Sequence, residues 1–229
     1  MRLSNLHLFD LFYSAYHAWP RFYDGVTQLL SIGQWEKWQD RIFDDLTGKR
    51  ILEIGVGPGK LLLRLAKKGY IVTGIELRRG MAYEARKRIK QAGFDIDILH
   101  QSVYKLPFKD ETFDCVVLTF ILAEIDDLDK SIEEIKRVLK KDGKAIIIAG
   151  GMPEDNNIIA RILFRMVGWQ TTLKLERRNK EYFQMHGFKV SRKDFGPFNI
   201  INKIVAIKQL MLFILPAKTI QRQQRSAGN

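Results

Sequence analysis

The 229-residue chain has little of what would commit it to a disulfide framework, a metal centre or a membrane span. Its single cysteine, Cys115, excludes an internal disulfide. That cysteine lies inside the apolar run FDCVVLTF, which predicts a buried thiol rather than a reactive one. The four histidines are scattered, and no His/Cys spacing of a metal site is present, so no metal is expected. No stretch reaches the about 18 uninterrupted apolar residues that a membrane span needs. The nearest, IVAIKQLMLFILP and LHLFDLFYSAYHAW, are broken by Lys208 and by polar residues. The N-terminus lacks the basic region, apolar core and small-residue cleavage site of a signal peptide, and a cytoplasmic location is expected.

Acidic residues are also scarce. Against 38 Lys and Arg stand 26 Asp and Glu, which gives a net charge of +12. That balance favours an acidic partner: nucleic acid, anionic lipid or an anionic substrate. Solvated helix faces explain it equally, because many bases fall at helical spacing, as in RRGMAYEARKRIKQ.

What is present is a hydrophobic fraction of 46%, enough for a sizeable core in one domain. Residues 1–47 carry aromatic-rich helical patterns and read as a helical cap. From Lys49 short apolar runs alternate with amphipathic segments: RILEIG, YIVTGIE, DIDILHQ, FDCVVLTFIL and KAIIIAGG as strands, KLLLRLAKKG, MAYEARKRIKQAG and DLDKSIEEIKRVLKKDG as helices. Strands alternating with helices mean βαβ units, a parallel sheet and right-handed crossovers. After Gly151, NNIIARILFRMVG and RRNKEYFQMHG read as helices, and HGFKVSRKDF with NIINKIVAIKQL as two strands close enough to pair as a hairpin. The tail over 211–229 is basic and reads as disordered. The expected fold is therefore α/β: a Rossmann-like, doubly wound seven-stranded sheet over 48–210, mostly parallel with a C-terminal antiparallel hairpin strand, plus the N-terminal helical cap.

The first strand runs into ILEIGVGPGK, a turn with glycine at every second position. In an open parallel sheet the turn after the first strand is the usual ligand contact. Three nucleotide chemistries compete for it. A phosphate-cradling loop, G-x-x-x-x-G-K-[ST], fails because the residue five before Gly59 is Ile54 and Lys60 is followed by Leu61. A dinucleotide fingerprint fails at Lys60, where a small residue belongs, and Glu53 would bring negative charge near a pyrophosphate. Glu53 suits a ligand that presents a positive group.

E-x-G-x-G-x-G resembles motif I of the class I S-adenosylmethionine-dependent methyltransferases. The resemblance implies S-adenosyl-L-methionine as cofactor, with the backbone of Gly55, Gly57 and Gly59 along its methionine part and Glu53 acting on its ammonium. It continues through five ordered stations over about residues 49–150. Glu76 ends the second strand, where a carboxylate accepts from the ribose hydroxyls, with Leu77 and Met81 beside it. HQSVYKLPFKDETFD matches the family's LPF stretch and the FD opening the fourth strand, with Ser102 and Val103 at the adenine and Ser102 standing where an aspartate is usual. A serine there makes a neutral, weaker bond. Thr119 and Phe120 end the fourth strand at the cleft.

YDGVTQLLSIGQWEKW is similar to the YDxMNDxxSxGxHRxW segment of the ubiquinone and menaquinone C-methyltransferases, methyltransferases of type 11. Related YD segments occur in phospholipid N-methyltransferases. The similarity implies that Tyr23 caps the cofactor cleft; a core tyrosine in an amphipathic helix is the other reading. This chain departs from the quinone enzymes at Ala123 and Glu124, where they carry an arginine-asparagine pair, and at IAGGMPED, where they carry an EFSKP-like stretch. Glu124 is the candidate base or substrate contact, with His17 and Tyr16 as further candidates. The activity implied is methyl transfer to a small-molecule or lipid-like acceptor, with peripheral contact to an anionic membrane. The alternatives are an RNA acceptor, although the asparagine-proline-proline-aromatic motif of amino-group methylation is replaced by TFIL, and a non-catalytic cofactor-binding protein.

Overall fold

The alternation of apolar runs and amphipathic segments builds one seven-stranded sheet in the computed structural model, which describes residues 23–155, 157–160, 162 and 179–209. The strands are β1 (Arg50–Ile54), β2 (Ile71–Glu76), β3 (Ile98–His100), β4 (Phe113–Thr119), β5 (Leu139–Gly150), β6 (Phe188–Phe195) and β7 (Ile201–Lys208), in the order β3-β2-β1-β4-β5-β7-β6. Strands β1 to β5 pair in parallel, while β7 runs antiparallel to both β5 and β6. The parallel sheet and the C-terminal antiparallel hairpin thus follow the sequence reading.

Helices cover both faces because the central strands are apolar on both sides. In β4 every residue from Cys115 to Thr119 is buried, a continuous run in place of an alternation. Val116 and Leu118 of β4 join the core beneath the helix Leu128–Val138, whereas Cys115 and Val117 join the core beneath the helices Lys60–Lys67 and Arg79–Gln91. The helices fully within the described residues are, in chain order, α1 (Tyr23–Leu30), α2 (Trp35–Gln39), α3 (Lys60–Lys67), α4 (Arg79–Gln91), α5 (Leu128–Val138) and α6 (Asn179–Met185). Each crossover helix buries one stripe: Leu61, Leu62 and Leu65 in α3, Met81, Ala82, Ala85 and Ile89 in α4, Ile132, Ile135 and Val138 in α5. Among the described residues no helix is long and apolar enough to cross a membrane.

The FD that opens β4 has a structural task. Asp114 accepts the backbone N–H of Lys49 at 2.9 Å and of Arg50 at 2.8 Å, and its other oxygen takes the Lys140 ammonium at 2.7 Å. The chain therefore enters β1 pinned to β4. A Cβ at Gly48 would collide with the Asp114 carboxylate.

Two boundaries differ most from the sequence reading. The helix expected to run through LKKDG stops at Val138, and Leu139 already pairs with Phe113. Leu139 is fully buried, so it serves the sheet, and the irregular register is absorbed at Asp142, with φ +59°, and at Gly143, where a Cβ would lie 2.9 Å from the Lys140 carbonyl. The third strand shrinks from DIDILHQ to Ile98–His100, as suits an edge with one neighbour. The helical reading of LHLFDLFYSAYHAW, including Tyr16 and His17, and the disordered reading of the tail fall outside the described residues.

Helices α1 and α2, with the 3-10 turn Asp40–Asp44, sit against α3 and α4 through ion pairs. Asp24 meets Arg88 at 2.7 Å, Glu36 meets Lys60 at 3.0 Å and Asp40 meets Arg64 at 2.8 Å. Arg64 also donates to buried Gln39, which donates in turn to Thr119.

Candidate functional site

The sheet order reverses between β1 and β4, so the loops after β1, β2, β3 and β4 surround one crevice at the carboxyl ends of the strands. The glycine turn is its floor. Gly57 adopts φ +52°, and a Cβ built there meets nothing nearer than the Tyr23 ring at 3.8 Å, so its outer side is open to a ligand. The other two glycines serve packing. A Cβ on Gly55 would lie 2.7 Å from the Ile121 side chain, and one on Gly59, the residue before α3, would press on Ala85 of α4 at 3.0 Å.

Glu76, only 7% exposed, ties the turn to the loop after β2. One carboxylate oxygen accepts the Gly57 N–H at 2.9 Å and the other accepts the Arg78 N–H at 2.9 Å. Each oxygen keeps a second lone pair for a hydroxyl donor. About 750 Å³ of empty space, open solvent at the mouth included, lies within the cleft. Of the residues expected at the cofactor, Tyr23, Gly55, Gly57, Glu76, Leu77, Met81, Ser102, Val103 and Phe120 line it, as does Glu124.

Glu53, Gly59 and Thr119 do not line this cleft. Glu53 is 1% exposed, and its Oε2 has no hydrogen-bond partner. Burial pushes its carboxyl well above the usual carboxylate range; the Arg64 guanidinium pulls the other way, and the neighbouring Glu76 adds to the rise. Thr119 lines a smaller recess that shares Tyr23 and Gly55 with the cleft and also includes Trp35, Gln39 and Lys60.

Phe120 holds a left-handed backbone, φ +59°, which costs free energy in a non-glycine residue and is typical of functional turns. Its N–H donates to the Ile148 carbonyl at 2.7 Å, and its ring stacks on Trp35 of α2 with centroids 4.0 Å apart. Ser102 Oγ accepts the Tyr104 N–H at 3.3 Å, which leaves its own proton to donate. Glu124, in the 3-10 turn Leu122–Glu124, accepts from Arg78 Nη2 at 2.7 Å, so an ion pair joins the loop after β2 to the loop after β4.

Sequence reading missed Arg78, Gln101, Tyr104, Ile121 and Ile125, all of which line the cleft. Each of the five adjoins a residue already singled out, so adjacency to a motif station was a usable signal. The Tyr104 hydroxyl accepts the N–H of Asp126 and of Asp127 and so braces the loop after β4. Among the described residues no group of three acidic, histidine or cysteine side chains could hold a metal ion.

A glycine turn after β1, a carboxylate at the end of β2 and an open crevice at the switch point define a nucleoside-cofactor domain of the doubly wound class. An unpartnered, buried carboxylate beneath that turn fits a cofactor that carries an ammonium group. The family model described as a methyltransferase domain matches residues 52–147. The demethylmenaquinone methyltransferase of Thermus thermophilus is 30% identical over 155 residues, covering 65% of this chain and 70% of that protein. A phosphatidylethanolamine N-methyltransferase of Cereibacter sphaeroides is 30% identical over 138 residues, covering 57% of this chain and 67% of that protein. The crystal structure of an S-adenosylmethionine-dependent methyltransferase from Thermotoga maritima superposes with a TM-score of 0.65 at 20% identity, over 85% of this chain and 98% of that one. The chain belongs to the S-adenosylmethionine-dependent methyltransferases, and S-adenosylmethionine is its cofactor. It spans 60% of the length of the demethylmenaquinone methyltransferase of Bacillus subtilis and 54% of that of Clavibacter sepedonicus, at 30% and 33% identity.

Proposed function

We propose that this protein transfers a methyl group to a lipid-like acceptor by in-line displacement. The observation that carries the reading is the apolar and aromatic wall that the cap and the segment after β4 add to the cleft. The polar groups Glu76, Gln101 and Ser102 come from the ends of β2 and β3, on the cofactor side. The cap and the end of β4 supply Tyr23, Phe120, Ile121 and Ile125, an apolar and aromatic surface interrupted by Glu124. Such a surface suits an acceptor with an apolar body. Two relatives named for demethylmenaquinone and phosphatidylethanolamine support the same class.

In this reading Glu76 accepts from the ribose hydroxyls, Ser102 and Val103 meet the adenine, and Leu77 and Met81 flank the nucleoside. The backbone of Gly55, Gly57 and Gly59 borders the methionine part, and Glu53 neutralises its ammonium. Tyr23, Thr119 and Phe120 close the cofactor from the cap side. In this reading the chain divides into the N-terminal cap 1–47, the domain 48–210 and the basic tail 211–229, in the cytoplasm with peripheral contact to the membrane. S-adenosylmethionine supplies a methyl on a sulfonium, and its transfer leaves the electron pair of the broken C–S bond on sulfur. The protein's part is to align the nucleophile with that carbon and to keep water out, which can supply most of the acceleration. A base is needed only where the nucleophile must lose a proton. Glu124 is the candidate, and the Arg78 guanidinium holds its carboxylate in place.

Transfer of labelled methyl from S-adenosylmethionine into lipid, small-molecule and RNA fractions of a cell extract tests the proposal. Label is expected in the lipid fraction. Label in RNA alone, or cofactor binding with no labelled fraction, rejects it.

A further inference from the structure

Helix α4 has an outward face that the cofactor site does not use. The residues Arg79, Tyr83, Arg86 and Lys90, spaced i, i+4, i+7 and i+11, fall on one stripe, with Lys87 beside it. All five are exposed, Tyr83 by 64%. The apolar stripe of Met81, Ala82, Ala85 and Ile89 lies on the opposite side and packs into the core, so the outward face is not an accident of a loosely held helix. The single acid of the helix, Glu84, sits off this face by helical geometry, as does Arg88, which bonds to Asp24 of the cap. Arg86 chelates the Ile98 carbonyl with two N–H groups and is thereby fixed in direction. Arg79, Lys87 and Lys90 form no ion pair among the described residues. Thirteen residues make a basic stripe about 20 Å long.

The stripe begins at the cleft. Leu77, two residues before α4, is 64% exposed and lines the cleft mouth together with Arg78. We infer that the outward face of α4 docks the protein on an anionic phospholipid surface, with the mouth of the cleft turned toward the bilayer. The charge is complementary to lipid phosphates and of one sign along the whole stripe. Tyr83, an amphipathic ring, lies within it where headgroup-level aromatics belong. The contact is peripheral, because the apolar side of α4 is committed to the core and only the bases and Tyr83 meet the headgroups. RNA would ask for several stacking platforms along the groove, and this face offers one ring. The orientation of the mouth rests on the lipid-like acceptor proposed above; the docking itself does not require that any methyl be transferred.

Cosedimentation of the full chain with vesicles of phosphatidylcholine, alone or mixed with phosphatidylglycerol, tests the inference at physiological ionic strength. Binding is expected to the anionic vesicles and not to the neutral ones. The triple variant Arg79→Gln/Lys87→Gln/Lys90→Gln is expected to lose binding on the order of a hundredfold, because each base near an anionic surface contributes about fivefold. Its melting temperature and S-adenosylhomocysteine affinity should match the wild type, since none of the three residues lines the cleft. Tyr83→Ala is expected to weaken binding severalfold without a change in charge. Lys67→Gln/Lys105→Gln/Lys141→Gln removes the same charge from exposed positions elsewhere and should bind as the wild type does. Equal loss in that control would reduce the effect to net charge and overturn the inference. So would absence of binding to anionic vesicles, or bulk RNA binding that the α4 variant abolishes while vesicles are ignored. Methyl transfer into lipid with no vesicle binding would sink the docking surface and leave the function standing; vesicle binding without transfer would do the reverse.

Discussion

Glu53 is buried at a cost that a proton, a hydrogen-bond donor or a cation relieves. Its buried carboxyl has an unpartnered oxygen, and burial raises its proton affinity. Because the folded protein binds that proton more tightly than the unfolded chain, the stability it contributes is complete below the unfolded carboxylate pKa and is lost as pH rises through the folded value. Glu53→Gln cannot ionise, so at neutral pH it is expected to gain about 1–2 kcal/mol, read as a melting temperature a few degrees higher. The same change should weaken S-adenosylmethionine binding by about tenfold or more in calorimetry. Wild-type affinity should climb with pH as Glu53 ionises, and the variant should be flat over that window. Glu76 poses a different problem, since its carboxylate already serves two backbone donors. Glu76→Ala is expected to cut cofactor affinity at least tenfold and to lower the melting temperature as well, because two N–H groups lose their acceptor. Unchanged affinity would reject the ribose assignment. The spacing of acid and glycine made both glutamates legible in the sequence. It did not show that a Cβ at Gly55 or Gly59 would press on Ile121 or Ala85 while Gly57 has open space, since that depends on neighbours far away along the chain.

Elements were legible where periodicity had one interpretation. The stripe of α4 and the alternation of β6 are unambiguous, and both appear where expected. The end of α5 was not, because RVLKKDG reads as a helical last turn with basic residues and a terminal glycine, whereas burial of Leu139 against Phe113 gives the segment to the sheet. Asp114 belongs to this scale, since it fixes one strand to another. The carboxyl is partly desolvated, which raises its pKa, but the Lys140 ammonium and the N–H groups of Arg50 and Lys49 together hold it below the usual range. Its contribution is therefore present above the unfolded carboxylate value and is lost as pH falls through the lower folded one. Asp114→Asn is expected to destabilise by about 1–2 kcal/mol at neutral pH in urea unfolding, and the two curves should converge in acid. A constant gap down to acid pH would assign the loss to the amide's fit and not to charge.

At the scale of the molecule, the parallel sheet and its C-terminal antiparallel hairpin were implied by the alternation of strands and helices, while the cap's mode of attachment was hidden. Asp24, Glu36 and Asp40 look like ordinary solvated acids in sequence, and only the fold brings them to Arg88, Lys60 and Arg64. The strand order has a consequence for synthesis. β7 lies between β5 and β6, so seven positions of β5, from Lys144 to Gly150, stay unpaired on one side until Ile201–Lys208 has been made. A nascent chain leaving the ribosome can assemble β1 to β5 one crossover at a time, but it carries a long, flat, apolar edge throughout. During that interval the half-made protein is a substrate for chaperones and for pairing with its own siblings on a polysome, and the final hairpin is what ends the exposure.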